Sequence, residues 1–196
     1  MTSPHADSGL APSRWVVDCL QAIQGLVQGR PAGAPPLRAL DLACGGGRHA
    51  LYLASLGFEV HAVDRQVPAT AWPVGVTFQQ MDLEQGDWPL HGQQYDLIVV
   101  TNYLYRPHFQ NLLACLKSEK GVLVYETFMD GNARFGSPKN PDFLLQPAEL
   151  LLRLAGLNIL RFEQGQRQQP GPAMIQRAMA ITGGWSGIQS ETIKLT

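Results

Sequence analysis

The feature that most constrains this chain is an apolar run that ends at an acid and then turns through three consecutive glycines. Residues 37–50 pass from Leu37 through Leu40-Asp41-Leu42-Ala43-Cys44-Gly45-Gly46-Gly47 into Arg48-His49-Ala50. A buried strand that breaks at glycines and enters a helix is how an α/β sheet builds a nucleotide site. Glycine lets the backbone turn tightly and approach a ligand with no Cβ between them, and the helix start supplies N–H groups that lack intrahelical partners.

The flanking acids decide which nucleotide suits the turn. Gly45-x-Gly47-x-x-Ala50 also fits the dinucleotide fingerprint, but a pyrophosphate at the helix start would face the Asp41 carboxylate across a short gap. That repulsion argues against NAD and favours a nucleoside with a cationic amino-acid tail, such as S-adenosylmethionine. The run from Phe58 to Asp64 alternates apolar and polar residues and ends in an acid 23 residues after Asp41. At that offset a strand-end carboxylate accepts from both ribose hydroxyls. Val76 to Asp82 reads as a third strand ending in an acid, suited to an adenine amino group, with Met81 or Leu83 packing on the ring.

These residues resemble the class I S-adenosylmethionine-dependent methyltransferases. Asp41 to His49 is similar to that family's first motif, and Val63-Asp64 and Met81-Asp82 are similar to its ribose and adenine positions. The resemblance covers about residues 37–182, and is nearest to small bacterial members of the tellurite-resistance-type branch and to relatives with a segment like Asn102-Tyr103-Leu104-Tyr105-Arg106-Pro107. It implies a Rossmann-like α/β fold: a seven-stranded, mostly parallel sheet with an antiparallel seventh strand between strands five and six, and helices on both faces. It also implies cofactor contacts from Asp41, Ala43, Cys44, Gly45, Gly47, Arg48, Asp64, Arg65, Met81, Asp82, Leu83, Thr101 and Asn102.

With 196 residues and 45% hydrophobic content, the chain can bury one α/β core, expected over residues 13–182 between a flexible lead (1–12) and a tail (183–196). No run approaches the roughly 18 apolar residues of a membrane span, and the N-terminus lacks a signal-peptide pattern. A cytoplasmic protein is therefore expected. The net charge of -1 and the lack of Lys/Arg runs argue against a nucleic-acid partner. Cys19, Cys44 and Cys115 read as reduced thiols, and the five histidines show no ligand spacing for zinc.

Trp15, Val16, Cys19, Leu20, Ile23, Leu26 and Val27 recur at helical spacing behind a Ser13 cap, which predicts a leading helix packed on the sheet or lying over the site. A helix is expected over Arg48–Leu56, but Pro68 and Pro73 argue against a full one between residues 65 and 75. Trp72 there is either a cover for the adenine or a core residue. Strands are expected over 95–100 and 121–126, helices over 108–117 and 146–155, and a closing pair of strands over 158–164 and 173–182.

The resemblance puts the reacting methyl and its acceptor after strand four, making Tyr105, Arg106 and His108 candidate catalytic residues. His108 is either a base or a solvated surface residue. Arg106 either binds an anionic acceptor or braces its loop, and Glu126 either reaches the site or bonds a neighbouring loop. The long segment 127–145, with Phe128, Phe135 and Phe143, is expected to be a lid. Thr101-Asn102-Tyr103-Leu104 lacks the Asn/Asp-Pro-Pro-aromatic stretch of adenine-N6 and glutamine methyltransferases. The reading is in-line methyl transfer from S-adenosylmethionine to a small-molecule acceptor by a monomer or homodimer. Its alternatives are an RNA or protein methyltransferase and a module that binds S-adenosylmethionine without turnover.

Overall fold

The computed structural model describes residues 11–25, 31 and 33–183. The expectations for residues 1–10, for Leu26 and Val27 in the leading helix, and for 184–196 in the tail lie outside the described residues.

Seven strands form one sheet: β1 (Arg38–Leu42), β2 (Glu59–Asp64), β3 (Val76–Gln80), β4 (Leu97–Thr101), β5 (Val122–Phe128), β6 (Asn158–Arg167) and β7 (Ala173–Ile181), in the order β3-β2-β1-β4-β5-β7-β6. The first five are parallel, and β7 runs antiparallel to both β5 and β6, as the Rossmann-like expectation required. All five residues of β4 are buried, which suits a central strand covered on both faces. Parallel register brings Leu42 beside Val63 and Val100, and Thr101 beside Glu126. The ends of β1, β2, β4 and β5 therefore share one edge of the sheet.

Among the described residues, the α-helices with defined bounds that flank the sheet are α1 (Arg14–Ala22), α2 (Arg48–Ser55), α3 (Phe109–Ala114) and α4 (Glu149–Arg153). On one face, α1 and α2 bury Trp15, Val16, Cys19, Leu20, Ala50 and Leu53 against Val99, Val124 and Met179. On the other, α3 and α4 bury Phe109, Leu112 and Leu150 against Ile98, Val100 and Tyr125. The leading helix packs on the sheet, and its Ser13 side chain does not cap it. Instead, Ser13 Oγ donates to Glu126 Oε1 at 3.0 Å. No helix among the described residues is long and apolar enough to cross a membrane.

Several boundaries differ from the sequence reading. β3 stops at Gln80, so Asp82 lies in the following turn, where its Oδ1 accepts from Glu84 N–H at 2.9 Å. β5 extends to Phe128, and the helix expected over 108–117 becomes a 3₁₀ turn over Arg106–His108 followed by α3. The helix expected over 146–155 shrinks to α4, because Ala148 takes a left-handed φ of 59° just before it. Residues 65–75 hold no helix. Trp72 fills that space, stacking on Phe78 with ring centroids 5.5 Å apart. It packs so closely on the glycine turn that a Cβ on Gly47 would lie 2.4 Å from its ring. Trp72 is thus a packing residue behind the turn.

Tyr125 connects the core to the site: it is 1% exposed, and its hydroxyl donates to the Tyr103 carbonyl at 2.7 Å. Tyr125→Phe should cost about 1–3 kcal/mol, because a buried acceptor loses its partner. Urea unfolding measures this, and a loss well under 1 kcal/mol would show that the bond does not brace the loop after β4.

Candidate cofactor and acceptor site

Two carboxylates hold the glycine turn. Asp41 is 1% exposed, and its Oδ2 accepts from Ala50 N–H at 2.8 Å, tying the end of β1 to the first turn of α2. Burial pushes its carboxyl up to about 7, against the opposing pull of the Ala50 bond and the Arg48 charge. Asp64, at the end of β2, accepts from Gly45 N–H at 2.8 Å and from Gln66 N–H at 2.9 Å. Between them, Gly45 and Gly47 take left-handed φ values of 53° and 79°, and Ala43 adopts 53° despite its Cβ.

A cavity of about 450 Å³ opens at the carboxyl edge beside this turn. Its lining brings together seven of the expected cofactor residues: Ala43, Asp64, Arg65, Met81, Asp82, Leu83 and Asn102. Asp41, Cys44, Gly45, Gly47, Arg48 and Thr101 are not among the lining residues. Cys44 is buried, and burial pushes its thiol up to about 12, which suits packing rather than nucleophilic chemistry. Thr101 is buried with its Oγ1 3.4 Å from His49 Nδ1. Asn102 adopts a φ of 56° while its N–H donates to the Glu126 carbonyl at 2.8 Å.

Glu84, Tyr103 and Leu104 also line the cavity and were not singled out as cofactor residues in the sequence. Tyr103 lies in the quoted strand-four segment, but only the fold shows that its hydroxyl is buried without a partner. Apolar walls from Met81 and Leu83, carboxylates from Asp64 and Asp82, and this unpartnered hydroxyl make a donor and acceptor set that fits an adenosine.

Phe128, Ser137, Pro138 and Phe143 line the cavity from segment 127–145. That segment is ordered, and its base is clasped by Asp130 N–H to Leu145 O at 2.9 Å and Leu145 N–H to Phe128 O at 3.0 Å. Inside it, buried Asn132 donates to Pro138 O at 3.2 Å and accepts from Met174 N–H at 3.1 Å. Arg106 grips its far end, donating to the Asp142 and Leu144 carbonyls at 2.6 and 2.7 Å and to both Glu149 oxygens at 2.8 and 2.9 Å. Burial works against the charge on Glu149, yet the Arg106 bonds hold its carboxyl down at about 2. Of the two roles read for Arg106, the geometry is that of a brace.

Tyr105, Arg106 and His108 do not line the cavity. Tyr105 OH donates to the Glu84 carbonyl at 3.1 Å. His108 pairs with Asn111 at 3.1 Å and lies against the rings of Trp88 and Tyr105. Glu126, 3% exposed, is bonded by Ser13 and by Arg177 Nη1 at 3.1 Å. Among the described residues, no group of three or more His, Cys, Asp or Glu side chains is arranged to hold a metal ion.

Residues 39–123 match the family model of the methyltransferase domain, a span that includes the glycine turn, all three strand-end acids and β4. The match covers under half of the chain and makes that span similar to a methyltransferase domain. Solved structures share the fold at low identity. TehB from Haemophilus influenzae is 18% identical with a TM-score of 0.60, over 76% of this chain and 59% of TehB, so the chain spans under two thirds of that protein. The N-methyltransferase NodS from Bradyrhizobium japonicum WM9 is 16% identical with a TM-score of 0.60, over 86% of this chain and 94% of NodS. The plantazolicin methyltransferase BpumL, solved with S-adenosylhomocysteine, is 12% identical with a TM-score of 0.58, over 86% of this chain and 83% of BpumL. No curated protein matches the sequence.

Two predictions follow from this geometry. Asp64→Ala should weaken S-adenosylhomocysteine binding by about 1–3 kcal/mol in a calorimetric titration, since charge-assisted bonds are lost from a half-buried site. Unchanged affinity in a folded variant would overturn the ribose assignment. Glu149→Ala leaves Arg106 without its carboxylate and should make segment 127–145 the first site of limited proteolysis. Cleavage indistinguishable from wild type would show that the lid is held by other contacts.

Proposed function

We propose that residues 13–182 act as one catalytic domain, a cytoplasmic enzyme that methylates a small-molecule acceptor under the 127–145 lid. The observation that carries this reading is the half-open cavity of about 450 Å³, walled on one side by Phe128, Ser137, Pro138 and Phe143 of that segment. A cleft of this size suits a nucleoside cofactor and a small partner better than a polymer. The buried, unbridged Cys19, Cys44 and Cys115 support a reducing compartment.

When bound, S-adenosylmethionine supplies an activated methyl: an acceptor lone pair bonds to the methyl carbon as the carbon–sulfur bond breaks with its electrons to sulfur. The work left to this chain is orientation and the exclusion of water. Asp64 and Asp82 would hold the ribose and adenine, while Met81 and Leu83 would pack on the ring. Asp41 would favour the cationic amino-acid end, and the lid would shut out solvent. Tyr105, Arg106 and His108 would contribute by holding the walls in place, so the acceptor atom is one that presents a lone pair without a strong base.

Incubation with methyl-labelled S-adenosylmethionine and fractionated cell extract tests the acceptor class. Label is expected in the low-molecular-weight fraction. Label confined to RNA or protein would overturn the small-molecule reading, and cofactor binding without transfer to any fraction would favour the non-catalytic alternative.

A further inference from the structure

On the α1 face of the site, four arginines meet only two carboxylates. Arg177 is fully engaged, bonding Glu126 at 3.1 Å and Glu163 at 2.6 Å. Arg161 shares Glu163 at 3.5 Å and, like Arg177, lies over the Trp15 ring at 4.6 Å. The Arg48 side chain makes no hydrogen bond or ion pair among the described residues. Arg167 has one long contact, Nη1 to Glu126 Oε1 at 3.5 Å, and that oxygen already accepts from Ser13. Its Nε is buried with no partner.

Arg167 stands next to the cavity, because its guanidinium packs on the ring of Phe128 at 5.9 Å and Phe128 lines the cavity. Nη1 faces Glu126, which leaves the Nε/Nη2 edge of the guanidinium uncommitted. That edge presents two parallel N–H donors, the fork that matches the two oxygens of a carboxylate. Burial lowers the affinity of Arg167 for its proton, and the charges of Arg177 and Arg48 lower it further against the opposing effect of Glu126. An anion at this edge would relieve that excess of positive charge. Glu126 and Glu163 are both already bonded to Arg177 and cannot supply it.

We propose that the methyl acceptor carries a carboxylate, taken bidentately by Arg167 at the Phe128 end of the cavity, with Arg48 adding to the attraction. The proposal rests on the small-molecule reading above. It assigns the carboxylate to recognition, so that the acceptor's nucleophilic atom points along the cavity towards Asn102 and the cofactor. Arg167 does not itself line the cavity, so this binding requires the Phe128 ring to swing aside and open the Nε edge; the Arg167 side chain keeps 18% of its surface exposed.

The test is calorimetric titration of the protein loaded with S-adenosylhomocysteine, using benzoate and benzamide as a matched pair that differs in charge. Benzoate should bind wild type at least about tenfold more tightly than benzamide. Arg167→Met, which keeps the apolar stem, should abolish that preference, and Arg167→Lys should retain part of it. Loading of each variant with S-adenosylhomocysteine, at wild-type affinity, reports that it is folded and that Arg167 does not serve the cofactor. Equal binding of the two probes, no binding of benzoate, or loss of cofactor affinity in Arg167→Met would each overturn the proposal. Failure of wild type to bind S-adenosylhomocysteine would instead overturn the methyltransferase reading on which it rests.

Discussion

The site depends first on a buried carboxylate bonded to the first turn of a helix. Asp41 takes the Ala50 N–H while Asp64 takes the Gly45 N–H, so the turn between β1 and α2 is held from both sides. The arrangement carries a cost, because Asp41 is fully shielded and its folded pKa, about 7, lies above its unfolded value of 3.8. For a group shifted in that direction, the folded state binds more protons. The stability it contributes is complete below pH 3.8 and is lost as pH rises through about 7. A cationic ligand group near Asp41 offsets that loss by favouring the ionised form.

Closure is organised from the opposite side of the cavity. The loop after β4 contributes Arg106, and the chain after the lid contributes Glu149, so one ion pair joins the cavity wall to its cover. Arg153 shares the same carboxylate at 2.7 Å and lies over Phe109, which anchors the pair to the core. A partly buried, multidentate pair of this kind holds geometry better than a solvated surface pair does. It also commits four of the five Arg106 N–H donors, leaving a single Nη1 N–H.

The sheet order, and the gathering of seven of the expected residues around one cavity, were legible in the sequence because each rests on local pattern. Glycines after an apolar run, and acids at strand ends, survive translation into three dimensions with only small shifts, such as Asp82 falling two residues beyond β3. The roles of Tyr105, Arg106 and His108 were less legible, because they depend on side-chain direction across long separations. Arg106 meets Glu149, 43 residues away, and Tyr105 meets the Glu84 carbonyl, 21 residues away. The buried, partnerless hydroxyl of Tyr103 and the uncommitted edge of Arg167 have no signature in sequence at all. They are statements about missing partners, and partners are known only after folding.

The absence of a helix between β3 and β4, among the described residues, changes how the 81–84 end of the cavity is built. The exposed side of the sheet there is polar, with His61 bonded to Tyr95 at 2.7 Å and to Gln79 at 3.2 Å. An amphipathic helix would find no apolar surface on such a face. The cavity wall is left to two loops, 81–84 and 102–104, whose backbones are paired to the sheet only at their first residues, Met81 N–H to Asp64 O and Asn102 N–H to Glu126 O, both at 2.8 Å. Tyr105 OH on the Glu84 carbonyl joins the first loop to the chain following the second, while Tyr125 OH on the Tyr103 carbonyl ties the second to β5. Two tyrosine hydroxyls thus do the positional work that a helix would otherwise do. The residues after β4 thereby set the shape of the wall, and a displacement of about 1 Å at a reacting centre is enough to lose much of a rate.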